Sequence, residues 1–196
     1  MAGSIVSTAA AYFEHAAATM KKLDAKAIDA YSELLFNAWR DRRRVFVFGN
    51  GGSAYTSSHH VTDYVKTASV EGARRLDAIS LVDNYGLTTA LGNDISYDET
   101  LVYPLQSFAR PGDLAVAISC SGNSPNVVKA CEWAKANGLT VVAITGFAGG
   151  KIGKLADVHV NIPSDNYGVI EDLQMSVGHI AAQALKTRVE ATKIKS

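Results

Sequence analysis

The sequence predicts an α/β fold: a three-layer αβα sandwich around a five-stranded, mainly parallel sheet, preceded by N-terminal helices. Three observations carry this reading. From residue 43 onward, short apolar runs alternate with longer helical stretches. The short runs are continuous rather than alternating, as strands covered on both faces are. Gly, Ser, Asn and Pro cluster where those runs end.

In chain order, Ile5 to Met20 and Ala25 to Trp39 are predicted as helices. In the second, Ile28, Tyr31, Leu34, Leu35 and Ala38 recur at helical spacing and need a partner face, either the main domain or another subunit. Strands are expected at Val45–Phe48, Ala78–Leu81, Leu114–Ser119, Thr140–Ile144 and Val158–Ile162. Helices are expected at Ser53–Thr67, Tyr85–Gly92, Ser124–Asn137 and Val169–Val189, with right-handed crossovers. Gly138 stands where a helix-ending glycine belongs. No linker marks a second domain, so residues 1–196 read as one unit, with assembly helices at 1–42 and an α/β core at 43–190.

Composition narrows the function classes. The 19 basic and 19 acidic residues cancel, which argues against nucleic acid as the main partner. Arg40, Arg42, Arg43 and Arg44 form a basic cluster that reads as a solvated helix C-terminus. Two cysteines, Cys120 and Cys131, suit a reducing, cytoplasmic setting without a disulfide framework. No signal peptide and no apolar run of membrane-spanning length is expected.

The segment Ser119-Cys120-Ser121-Gly122-Asn123-Ser124-Pro125 joins a strand end to a helix start. Ser124 is placed to cap that helix, and Pro125 suits its first position. Free amides, the positive helix end and serine hydroxyls together suit a phosphate. Cys120, inside the loop, is a candidate ligand contact. A second loop of similar design, Gly49-Asn50-Gly51-Gly52-Ser53, follows the first strand. It matches neither a dinucleotide fingerprint nor a P-loop. Each loop alone reads equally as an ordinary turn; parallel strands would bring both to one sheet edge.

His59 and Asp63 are four residues apart on one predicted helix face. Glu171 and His179 lie two turns apart on the last helix. A His/carboxylate pair on each of two helices suits a metal site or an acid/base site. The bland readings are a surface polar pair for His59 and Asp63, a satisfied core histidine for His179, and a structural role for His60. Asn93-Asp94 reads as a turn, and Asp83 and Asp172 as caps or solvated carboxylates.

Together these segments, with Arg110-Pro111-Gly112-Asp113 and Thr145-Gly146, resemble the sugar isomerase (SIS) domain, and within it the phosphoheptose isomerase family. The resemblance implies an aldose–ketose isomerase acting on sedoheptulose 7-phosphate through an enediol. It implies a homotetramer with active sites at subunit interfaces, the N-terminal helices contributing to assembly. Ser119, Ser121 and Ser124 would hold the sugar phosphate, aided by Asn50, Gly51, Gly52 and Ser53, with Cys120 alongside. Asn93 and Asp94 would contact the sugar chain. A zinc ion would sit on His59, Asp63, Glu171 and His179. Two positions depart from the family pattern: Asp63 stands where the family has Glu, and Glu171 where it has Gln. Asp63 and Glu171 are both candidates for the base; a shorter carboxylate at 63 and an added one at 171 suggest that this role has moved from Asp63 to Glu171, with His179 moving a proton. The alternatives are isomerisation of another phosphosugar or sugar-acid analogue, and a non-catalytic SIS protein binding a replication-initiator-type partner.

Overall fold

Residues 5–193 are described by a computed structural model; residues 1–4 and 194–196 of the expected single domain lie outside it. Two helices, α1 (Ile5–Met20) and α2 (Ala25–Asp41), lead into β1 (Arg44–Gly49). Then follow α3 (Gly52–Thr62), β2 (Asp77–Ser80), α4 (Tyr85–Asp94), α5 (Val102–Phe108), β3 (Leu114–Ser119) and α6 (Pro125–Ala136). The described residues close with β4 (Thr140–Thr145), α7 (Gly150–Leu155), β5 (Val158–Asn161) and the long α8 (Tyr167–Lys193).

The five strands form one sheet in the order β2-β1-β3-β4-β5, and every neighbouring pair is parallel. The expected "mainly parallel" sheet is therefore wholly parallel. All six residues of β3 are buried, which explains its uninterrupted apolar run. Side chains alternate between the two faces. Val45, Val47, Val116, Ile118, Val142 and Ile144 pack toward α2 and α8, with Tyr31, Leu35, Leu173 and Val177. Phe46, Phe48, Ala115, Ala117, Val141 and Ala143 pack the other way, with Leu105, Val127, Cys131 and Ile152. Burial of each large aliphatic side chain stabilises the fold by about 1.5–3 kcal/mol, so both layers are firmly held to the sheet.

The sequence reading missed α5 and α7, seven and six residues long. Helices of that length show too few turns for periodicity to stand out. The helix expected at Ser53–Thr67 is regular only to Thr62; it continues as a single π-helical turn over Asp63–Thr67. Asn93 and Asp94 complete the last turn of α4 rather than forming a separate turn. The arginine cluster is tethered rather than free. Arg42 ends α2 in a left-handed conformation, Arg43 donates to the Pro111 carbonyl at 3.1 Å, and Arg44 pairs with Asp77 at 2.9 Å.

This topology positions the site. β1 has β2 on one side and β3 on the other. The chain leaves β1 for one side of the sheet and leaves β3 for the opposite side, so their carboxyl ends flank a crevice. Gly49 at the end of β1 is required there, because a Cβ would stand 2.5 Å from the Ile118 carbonyl oxygen of β3.

Candidate active site

The loops after β1 and β3 meet in that crevice. They line a small cavity of about 180 Å³ with Asn50, Ser53, Ser119, Cys120, Ser121, Ser124, Tyr167 and Glu171. Five of the predicted phosphate-side residues and Cys120 are thus brought together. Ser124 occupies the N-cap position of α6 with Pro125 behind it, yet its side chain makes no capping bond. The expected capping hydroxyl is therefore free to face the cavity. Ser119 Oγ accepts from the Gly122 amide and Ser121 Oγ from the Asn123 amide, both at 3.2 Å. Each of these serines keeps its own hydroxyl proton for a ligand.

Asn50 lines the cavity while its side chain is also held within the protein. Its amide exchanges hydrogen bonds with Asn126, and its Oδ1 also accepts from the Tyr97 hydroxyl at 3.1 Å. The side chain is engaged within the protein, leaving the backbone of the loop for a ligand. Asn93 and Asp94 are exposed and bonded to each other at 2.7 Å, and they do not line the serine cavity.

A second cluster lies further along the seam between α3 and α8. His59 Nε2 is 3.2 Å from His179 Nε2 and 3.4 Å from Asp63 Oδ2; His179 Nε2 is 3.5 Å from the same oxygen. These separations match the edges of a tetrahedron, about 3.3–3.4 Å for bonds of about 2.0–2.1 Å to zinc. Two imidazoles and a carboxylate suit a divalent transition metal. Among the described residues the donor cluster comprises His59, Asp63 and His179. Glu171, expected as a fourth ligand, is not in it. Two helical turns separate it from His179, about 12 Å along the axis. Its carboxylate lies instead against Gly52, where a Cβ would come within 2.2 Å of Oε1.

Asp63 is held tightly. Its Oδ1 accepts from Thr67 Oγ1 at 2.9 Å, its Oδ2 faces both imidazoles, and its side chain is 12% exposed. Glu171 makes no hydrogen bond or ion pair among the described residues. Burial, then the Glu171 charge, pushes the Cys120 thiol up, so it is a neutral wall of the cavity rather than a nucleophile.

Other polar residues brace the helices around the seam. Gln174, fully buried on α8, accepts from Ser53 Oγ at 3.3 Å and donates to the Ile144 carbonyl at 3.4 Å. His60, read as structural, is fully buried, and burial pushes it down to about 4. Asp83 accepts from Ser58, and Asp172 accepts from the Tyr12 hydroxyl at 2.6 Å, tying α1 to α8. Gln174 lies one turn after Glu171, and that spacing was the available signal for it.

Residues 11–146 match the family description of the SIS domain. The phosphoheptose isomerase of Bordetella avium is 39% identical over 150 residues, 75% of this chain and 76% of that protein. The chain belongs to the phosphoheptose isomerase family. The family member of Geotalea daltonii is 35% identical over 162 residues, covering 83% and 84% of the two chains. The solved phosphoheptose isomerase of Neisseria gonorrhoeae superposes with a TM-score of 0.87 at 26% identity, covering 94% of this chain and all of that one. As a phosphoheptose isomerase family member, the chain is an aldose–ketose isomerase. Among the described residues no helix is long and apolar enough to cross a membrane.

Proposed function

We propose that this enzyme interconverts a seven-carbon ketose phosphate, sedoheptulose 7-phosphate, and the corresponding aldose phosphate. The carrying observation is the length of the α3–α8 seam. The serine cavity lies at one end, beside Ser53 and Glu171, and the His59–Asp63–His179 cluster lies at the other. Six residues separate Ser53 from His59 and eight separate Glu171 from His179, about 9 and 12 Å along their helices. An extended seven-carbon sugar phosphate is on the order of 10 Å long at ordinary bond lengths. With its phosphate in the serine cavity, the rest of the sugar would run along the seam from Glu171 toward the imidazoles.

In this reading Ser119, Ser121 and Ser124 hold the phosphate through their hydroxyls, and the amides of Gly51 and Gly52 contribute donors. Asn93 and Asp94 would reach the sugar only through a closer approach of the α4 end or from a neighbouring subunit. Fixing the tail spends remote binding energy on aligning the carbons that react. A carboxylate removes the proton beside the carbonyl, an enediol forms, and the proton returns to the adjacent carbon. Glu171 is the candidate base, because Asp63 has both oxygens committed whereas Glu171 is unbonded among the described residues; its place at the cavity end requires the reacting carbons to lie between the cavity and the imidazoles, within reach of its carboxylate. His179 moves a proton between the neighbouring oxygens. His59, Asp63 and His179 would hold a divalent cation such as zinc, which when bound polarises the carbonyl and hydroxyl oxygens. Two buried free cysteines support a reducing cytoplasmic setting. Exposed Phe13, Tyr55 and Tyr85 support assembly into a homo-oligomer, a tetramer by family resemblance.

The test is turnover of phosphorylated ketoses of five to seven carbons in deuterium oxide, with metal content measured in parallel. Expected results are preference for the seven-carbon substrate and deuterium entering its C–H position. Glu171→Gln should stop that exchange while keeping the metal; Asp63→Asn should lose the metal. Full activity of Glu171→Gln would overturn the assignment of the base.

A further inference from the structure

The two histidines of the donor cluster each have a buried neighbour in sequence, and those neighbours touch each other. His59 adjoins His60 on α3, and His179 adjoins Gly178 on α8. A Cβ on Gly178 would stand 2.1 Å from both Cδ2 and Nε2 of His60. No side chain larger than hydrogen fits there without moving the ring. On the same side, His60 Nε2 lies 3.1 Å from the Gln174 carbonyl oxygen, one turn back along α8. A carbonyl only accepts, so His60 donates from Nε2 and accepts at Nδ1.

The remaining bonds then have one direction. The Tyr64 hydroxyl donates to His60 Nδ1 at 3.4 Å, and the Tyr31 hydroxyl donates to Tyr64 at 2.5 Å. His60, Tyr64 and Tyr31 are buried to within 1% of complete. The imidazole is thereby braced on three helical segments: α8 through Gln174 and Gly178, the π turn through Tyr64, and α2 through Tyr31. A buried, satisfied polar chain of this kind holds one arrangement.

We infer that His60 and Gly178 are positioning residues that set the approach of α3 to α8 and thereby the separation of His59 from His179. The inference rests on the reading of His59, Asp63 and His179 as a cation site. Residues one step away from a rigid contact inherit its spacing, and a donor set drawn from two helices depends on that spacing to about half an ångström. Neither His60 nor Gly178 belongs to the donor cluster or to the lining of the serine cavity.

The experiment measures binding of zinc and of cobalt(II) by calorimetry, and the visible spectrum of the cobalt form. The proteins are the wild type, His60→Ala, His60→Gln, Gly178→Ala and the double variant His60→Ala/Gly178→Ala. Outer groups that orient metal ligands typically change affinity 10–100-fold when removed. The expected results are a loss of that size in His60→Ala and in Gly178→Ala, with an altered cobalt spectrum. His60→Gln, whose amide can still donate to Gln174, should recover part of the loss. In the double variant the added methyl enters the space left by the imidazole, so its loss should be smaller than the product of the single losses. Gly→Ala inside a helix ordinarily favours the helix, so weaker binding by Gly178→Ala is not a general loss of helix stability. If His60→Ala does not fold, Gly178→Ala and His60→Gln decide the matter. Wild-type affinity and spectrum in Gly178→Ala would overturn the positioning role. Failure of the wild type to bind either ion would instead overturn the cation-site reading.

Discussion

Asn50 and Asn126 exchange two amide hydrogen bonds, of 2.8 and 2.9 Å. The pair joins the turn after β1 to the first turn of α6, so the two loops of the serine cavity are braced against each other. Asn126 is 1% exposed, and its Nδ2 also lies 3.2 Å from Thr100 Oγ1. Asn126→Ala would leave the Asn50 amide short of a partner at the cavity wall. We expect a loss of about 1–3 kcal/mol in urea unfolding, together with weaker substrate binding seen as a higher KM. Unchanged KM in a protein so destabilised would separate the brace from the binding site.

Ser124 should behave in the opposite way. An N-cap serine that bonds its helix is worth about 1 kcal/mol, but the Ser124 hydroxyl makes no such bond. Ser124→Ala should therefore shift the melting temperature little. A hydrogen bond to a charged phosphate is worth about 1.5–3 kcal/mol, so KM should rise about 10- to 100-fold. Thermal shift with and without added inorganic phosphate distinguishes the two contributions.

Gly52 and Glu171 give a prediction about the base. An alanine Cβ at position 52 would displace the Glu171 carboxylate, whose nearer oxygen would be 2.2 Å away. Gly52 begins α3 with ordinary negative φ, and the obstructing group is the tip of a flexible side chain, so Gly52→Ala should fold. Displacing a reacting group by about 1 Å can lower the rate about 100-fold. The expected outcome is a fall in kcat of about that size, with metal content unchanged by elemental analysis.

The cysteines give a chemical check on the packing. Cys131 is fully buried on the inner face of α6, and burial pushes its thiol up to about 12. The thiolate is the reactive form, so at pH 8 a disulfide reagent should leave Cys131 untouched until guanidinium is added. Rapid native labelling at Cys131, located by peptide mass spectrometry, would contradict the packing of α6 on the sheet.

Much of the fold was legible because strands such as Leu114–Ser119 carry their burial in a continuous apolar run, and helices such as Ala25–Asp41 in an i, i+3, i+4 pattern. The breaks came where a signal was short or overridden. α5 and α7 are too brief to repeat a pattern. The regular helix stops at Thr62 because the following residues widen into a turn that ends with the Ala68 amide on the Asp63 carbonyl at 2.8 Å. Nothing in the sequence between Ser53 and Thr67 announces that change, since the helical side-chain pattern continues through it.

The site was legible as a set of residues but not as a set of relationships. His59 and Asp63 are four apart, so the helix itself places them together. His59 and His179 are 120 positions apart, and no local pattern records their meeting. The family resemblance implied Asn50 as a ligand contact; its bond to Asn126, 76 positions away, has no trace in the local sequence.

The sequence by itself determined the succession of the five strands and the longer helices, the placement of the glycine- and serine-rich turns at strand ends, and the residue types available for chemistry. These depend on interactions between residues a few positions apart. Tertiary structure alone decided which carboxylate joins the imidazoles, which serine hydroxyl stays free, and that Gly178 makes room for His60. Those outcomes follow from close packing between elements distant in the chain, at the start of α6 for Ser124 and between α3 and α8 for the others, where a single methyl group is enough to alter the distance between side chains.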